Sequence, residues 1–257
     1  MTRNKRHLFL IFFLFLTLQI FGKSPRVFAV IVGISDYKGT AVDLKYSDDD
    51  ARLFHTYLLK AMPGETSAGR VELLLNSKAS KSAIISSLKN IFKLATPDDF
   101  IIFYFSGHGS KGNFIPYDYQ TNKISHYEIK QIFKNAQAAY RICIADACFS
   151  GSLSNGSATV NEFNAINNLK DNKMAIILSS KPNQLSKESF SMKQGLFSYF
   201  LIRGLTGFGD LNNDGYITVG ELFIYTKNNT VKRSKGGQVP IIFGNQLEKI
   251  PLAKIRK

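Results

Sequence analysis

Two short motifs carry side chains suited to covalent chemistry: Ser106-Gly107-His108-Gly109 and Asp146-Ala147-Cys148-Phe149-Ser150-Gly151. A cysteine thiolate is a strong nucleophile, and an imidazole within reach takes or shares its proton. The flanking glycines let backbone N–H groups approach a reacting carbonyl. The amides of Gly109 and of Cys148 itself are candidates to hold a developing oxyanion. Taken singly, each motif has a plainer reading. A cysteine after a strand is more often a small buried hydrophobe, and a histidine between glycines is often only a turn residue. Cys143, between Ile142 and Ile144, shows the contrast and reads as an inert core thiol. A Cys143–Cys148 bridge is disfavoured: five extended residues span ~16 Å, whereas bridged Cα atoms lie within ~7 Å.

A third motif is Asp210–Glu221 (DLNNDGYITVGE), which fits D-x-[DN]-x-[DN]-G-x5-E. Asp210, Asn212 and Asp214 offer side-chain oxygens, Tyr216 its carbonyl, Thr218 a direct or water-mediated contact and Glu221 a bidentate carboxylate, the donor set of a calcium loop. Gly215 allows the sharp turn. Such loops usually come in pairs and this chain has one, so turn chemistry is the competing reading.

The elements that position these residues alternate between strand and helix. Arg26–Ile34, Val71–Leu75, Asp99–Ser106, Tyr140–Ala145 and Met174–Ser179 are apolar, β-branched or aromatic runs that predict buried strands. Between and after them, helices are predicted over Asp48–Lys60, with Leu53, Tyr57 and Leu58 at helical spacing, over Ser80–Leu94, over Ser125–Lys134 behind a capping-box pattern, and over Gly195–Leu205. Strands alternating with helices argue for an α/β fold with a mostly parallel sheet covered on both faces. In such a sheet the strands ending before His108 and Cys148 deliver both residues to one carboxyl-terminal edge, where α/β sheets build their sites. The Ser-, Asn- and Gly-rich stretch 150–171 reads as a long exposed loop.

The chain has 257 residues, 44% of them hydrophobic and 20% charged, enough to bury a core and too ordered in composition for global disorder. Two cysteines exclude a disulfide scaffold and a four-thiolate zinc site. Arg3, Lys5 and Arg6 precede an uncharged apolar run, Leu8–Gly22, which reads as a secretory signal over residues 1–24 and so predicts an exported protein. The alternative is an uncleaved anchor, for which the run is short. If the signal is cleaved, no stable membrane contact is expected. The formal charge of +14 is spread along the chain without an aromatic-studded basic patch, which argues against nucleic acid as a partner.

Together, FYFSGHG at 103–109 and IADACFSG at 144–151 resemble the caspase and metacaspase-like cysteine peptidases. The resemblance extends from about Val27 to Gly244 and includes GISDY at 33–37, DLKYSDDDA at 43–51 and GLTGFGDLNNDGYITVGEL at 204–222. It implies one caspase-like domain over 25–257, a three-layer sandwich whose mostly parallel sheet has about six strands. It implies His108 as general acid/base, Cys148 as nucleophile and the Gly109 and Cys148 amides as oxyanion hole, acting on a peptide or protein with no required cofactor. Asp50, Ser106 and Asp146 match residues of the metacaspase specificity pocket. Two carboxylates in one pocket select Lys or Arg, whereas true caspases use arginines to take Asp; the sequence shows no matching basic set, Arg141 and Lys181 being the candidates nearest to one. For Asp50 the competing reading is charge compensation at a helix start. Lys170 and Lys173 are candidate self-cleavage sites, and Glu188 and Gln238-Val239-Pro240 also match the family, in structural or pocket-edge roles. The predicted function is a cysteine endopeptidase cutting after Arg or Lys. The alternative is a caspase-like binding or signalling module with an idle dyad, which calcium could control. Neither reading fixes the oligomeric state.

Overall fold

A computed structural model describes residues 25–39, 42–61, 67–148, 174–181 and 184–255. The expected signal segment and the candidate cleavage sites Lys170 and Lys173 lie outside the described residues. A six-stranded sheet is built from β1 (Val27–Gly33), β2 (Val71–Leu75), β3 (Phe100–Ser106), β7 (Tyr140–Asp146), β8 (Met174–Leu178) and β12 (Ile241–Gly244), in the order β12-β8-β7-β3-β1-β2. All pairings are parallel except β12 with β8, which is antiparallel.

Helices cover both faces, as the near-continuous apolar strands require. On β1, Val27, Ala29 and Ile31 face one layer while Phe28, Val30 and Val32 face the other. The first layer holds α1 (Ser47–Ala61), α4 (Leu196–Arg203) and α5 (Val219–Ser234), packed through Phe54, Leu58, Phe197, Leu201 and Leu222. The second holds α2 (Lys81–Phe92) and α3 (His126–Asn135), packed through Ile84, Leu88, Phe92, Ile129 and Phe133. α3 starts with the expected capping box: Ser125 Oγ accepts the Glu128 N–H at 3.1 Å and Glu128 Oε2 accepts the Ser125 N–H at 2.8 Å.

Of the predicted face of α1, Tyr57 and Leu58 are buried as expected and Leu53 is replaced by Phe54. Leu53 is 44% exposed, and the buried stripe is Ala51, Phe54 and Leu58, with the Phe54 ring stacked on Tyr104 at 4.4 Å. The cause lies at Gly33. A Cβ there would stand 2.5 Å from Ala51 Cβ and 2.6 Å from Ser47 O. Glycine therefore lets the first turn of α1 sit on the end of β1, and that contact fixes the helix's rotation.

The predicted fourth helix ends in a different geometry: α4 passes into a π-type segment, Gly204–Phe208, with Gly207 at φ 124°. Small hairpins flank the sheet's carboxyl edge: β4 (Gly109–Ser110), β5 (Asn113–Phe114) and β6 (Ile124–Ser125) in one, β9 (Glu188–Ser189) and β10 (Gln194–Gly195) in another. β11 (Tyr216–Thr218) pairs with β13 (Pro251–Lys254). No described helix is long and apolar enough to cross a membrane.

Candidate active site

The pairing of β3 with β7 aligns Ser106 with Asp146. His108 and Cys148 each stand two residues further on, so the register brings them out side by side at the carboxyl edge. The alignment continues past the strands, with the Gly107 N–H donating to Asp146 O at 3.1 Å. A cavity of about 560 Å³ opens there, and its lining includes His108, Gly109, Cys148, Asp50, Ser106 and Asp146. The structure thus gathers every predicted catalytic, oxyanion and substrate-binding residue around one space. Arg141 and Lys181 do not line it; Arg141 lies near the opposite end of β7 and donates to Ala136 O at 3.0 Å.

His108 is held from two sides by the segment between β1 and α1. Its N–H donates to the Tyr37 hydroxyl at 2.7 Å, and its Nε2 lies 2.6 Å from Val42 O. A carbonyl oxygen only accepts, so Nε2 carries the proton and Nδ1 is left as the acceptor. The segment is itself clasped by side chains from elsewhere. Asn76 Oδ1 accepts from the N–H groups of Ser35 and Asp36, at 2.9 and 3.1 Å. Glu188 Oε1 accepts from those of Lys45 and Tyr46, at 2.9 and 2.8 Å. The Ile115 N–H donates to His108 O at 3.1 Å, so the alternation of an antiparallel ladder turns the Gly109 N–H away from its opposite number, Phe114.

Cys148 is partly buried and its thiol receives the Ser186 N–H at 2.8 Å. Burial pushes this thiol above its ordinary value, the Ser186 N–H pulls it partway back, and the Asp146 charge raises it again. Cys143 behaves as the sequence predicts: it is buried in the second layer, free, and pushed up to about 12 by burial.

Asp50, Ser106 and Asp146 are buried to within 5% exposure or less. Asp146 Oδ2 accepts the Ser198 N–H at 3.2 Å and its hydroxyl at 2.7 Å, while Oδ1 accepts the Ser186 hydroxyl. Asp50 accepts the Gly195 N–H, at 3.2 Å to Oδ1 and 3.0 Å to Oδ2. Burial first, and then the charge of Asp146, holds the Asp50 carboxyl well above the usual range. Burial also raises Asp146, against the pull of its serine donors. Two buried carboxyls thus line the same cavity as the thiol and the imidazole.

Sequence reasoning missed three residues of this network: Ser186, Ser198 and Gly195. It gave Glu188 and Gln238 structural or pocket-edge roles without their bonds; Glu188 lines the cavity and Gln238 does not. Gln238 is fully buried. Its Nε2 donates to Ser179 O and Ser186 Oγ, both at 3.0 Å, and its Oε1 accepts the Lys187 N–H at 3.0 Å. It therefore fixes the segment that touches both Cys148 and Asp146.

The residues of the 210–221 loop lie outside the cavity. Asp210 and Asp214 accept from backbone N–H groups of their own turn, at 2.8–3.2 Å, Asn212 Oδ1 accepts the Asp214 N–H at 2.9 Å, and Tyr216 opens β11. Glu221 caps α5, its Oε2 accepting from the Thr218 N–H at 3.0 Å and hydroxyl at 2.8 Å. Its other oxygen, Oε1, is buried and has no hydrogen-bond partner among the described residues. Among the described residues, no three His, Cys, Asp or Glu side chains converge as a metal cluster would.

The model of the caspase domain family matches residues 26–250 of this chain. Solved structures with the same fold include caspase-1 from Spodoptera frugiperda, at 14% identity and a TM-score of 0.65, covering 91% of this chain and 93% of that one. A protein from Geobacter sulfurreducens is similar at 18% identity and a TM-score of 0.64, covering 90% of this chain and 100% of that one. No curated protein is significantly similar in sequence.

Proposed function

The chain belongs to the caspase-domain family, and from that premise we propose that it is an exported cysteine endopeptidase that cuts peptides or proteins after Arg or Lys. One observation carries the reading: a single cavity is lined by a thiol, an imidazole with a free Nδ1 and two buried carboxyls.

In this reaction the Cys148 proton passes to His108 Nδ1 as Sγ attacks the carbonyl carbon of the scissile bond. The Gly109 and Cys148 N–H groups receive the resulting oxyanion. The intermediate collapses as His108 gives the proton to the leaving amine, which departs and leaves a thioester. Water then attacks the thioester, losing its proton to Nδ1, and Cys148 leaves with that proton. The Val42 carbonyl keeps the ring oriented and favours the imidazolium formed in each half-reaction. The Asp50 and Asp146 carboxylates receive the basic side chain that precedes the scissile bond, and Ser106 lies beside them. No step needs a cofactor. Export rests on the basic-then-apolar N-terminus, and cell fractionation tests it.

The deciding experiment is a panel of fluorogenic peptides ending in Arg, Lys, Asp or Leu, with Cys148→Ala as blank. Cys148-dependent release after Arg and Lys is expected. Release only after Asp would overturn the acidic pocket, and no release from folded protein would overturn the peptidase.

A further inference from the structure

We propose that Gly195 is the floor of the substrate pocket, against which the cationic head of the bound side chain lies, and that it limits the pocket to unmethylated guanidinium or ammonium groups. The inference rests on the reading that the enzyme cuts after Arg or Lys. Gly195 has φ −58° and ψ 134°, a conformation open to any residue, so the backbone does not demand glycine. The demand is for space. A Cβ there would stand 2.6 Å from Asp146 Oδ2 and 2.7 Å from Asp50 Oδ2, with no other atom closer than 3.5 Å. A side chain at this position would therefore press on the two carboxyl oxygens that the substrate's cation needs.

The two carboxylates are not equivalent. A carboxylate offers about four lone-pair sites. Asp146 already receives three donors from Ser186 and Ser198. Among the described residues, Asp50 receives just the shared Gly195 N–H and a long 3.4 Å contact from Gln194 Nε2. Asp50 thus keeps lone pairs for a ligand, and Asp146 contributes mainly its charge. A flat guanidinium or bare ammonium reaches Asp50 Oδ2 over the hydrogen-only face of Gly195. Each N-methyl group replaces a donor hydrogen and needs room where the two carboxyl oxygens already crowd the glycine.

The test compares peptides ending in Arg, asymmetric dimethylarginine, Lys and trimethyllysine, cleaved by the full chain with Cys148→Ala as blank. Methylation is expected to lower kcat/KM by about 10- to 200-fold, the range for one misfit group in a pocket. Equal cleavage of methylated and unmethylated peptides overturns the inference. If neither Arg nor Lys peptides are cut in a Cys148-dependent way, the proposed function itself fails and takes this inference with it. Gly195→Ala gives a second arm. Its KM for Arg peptides and its Ki for agmatine should rise together, while iodoacetamide alkylation of Cys148 keeps the wild-type rate. Unchanged KM and Ki in a cooperatively melting Gly195→Ala protein would overturn the inference. Should that variant not fold, the methylated peptides decide alone.

Discussion

Replacing Asp50 with Asn should make this protein more stable and a worse enzyme, two effects that a merely structural aspartate would not combine. The substitution keeps the side chain's shape, and its carbonyl oxygen can still accept the Gly195 N–H. It removes one of two buried like charges. Both Oδ2 atoms lie within 2.7 Å of a single point, the Cβ that Gly195 lacks. They are therefore at most about 5.3 Å apart, where two charges repel by roughly 3 kcal/mol at an effective dielectric of about 20. Asp50 and Asp146 both have raised values in the folded protein. Their ionisation therefore costs nothing below the unfolded carboxylate range and penalises the fold as pH rises through the folded values. Asp50→Asn should match wild type near pH ~3 and gain ~1–3 kcal/mol by pH ~8. The same charge attracts the substrate's cation, so kcat/KM for Arg peptides should fall by about 100-fold. The chain has no tryptophan, so urea titrations followed by far-ultraviolet circular dichroism at both pH values measure the first effect. The fluorogenic Arg peptide measures the second. A variant less stable than wild type at pH ~8, with Arg cleavage unchanged, would refute the pocket and leave Asp50 as a helix-start charge.

Two further outcomes follow from the same geometry. Iodoacetamide should label native protein once, at Cys148, with a midpoint above that of a free cysteine. Cys143, pushed up to about 12 and buried, should react only after unfolding; mass spectrometry of the labelled peptides reads both. Gln238→Ala should cost ~1–3 kcal/mol, because it strips one buried partner, Ser179 O, and two part-buried ones of hydrogen bonds. It should also slow peptide cleavage through the loosened 184–188 segment, and denaturant titration beside peptide assays measures the two losses together.

The strands were legible because a doubly covered parallel strand is apolar at nearly every position, and FIIFYFS and YRICIA are such runs. Their ends were legible for the same reason: the apolar run stops at Ser106 and at Asp146, and chemistry follows two residues later. The rotation of α1 was not, since Leu53 and Phe54 are both apolar and only the contact at Gly33 chooses between them. The hairpin of β9 and β10 was invisible. Its sequence, ESFSMKQG, alternates only over Ser189–Lys193, most of which lies between the two strands, and its anchors are tertiary: Glu188 on Lys45 and Tyr46, Gly195 on Asp50. Ser186, Ser198 and Gly195 escaped because each acts through partners about 40 to 145 residues away in sequence, a distance at which local spacing carries no signal.

The anchoring of His108 has a consequence for how this molecule meets heat. Cys148 follows directly from a strand buried at the centre of the sheet, but the imidazole's orientation also depends on Val42, in the connection 42–46, whose side chains are half-buried or exposed and whose hydrogen bonds are each worth about 1 kcal/mol. Local opening of that connection costs far less than unfolding the sheet. The two partners of the dyad therefore have different melting points. On warming, the proton carrier should drift out of alignment while the nucleophile still stands in its native frame, so catalysis dies in an otherwise folded protein and returns on cooling.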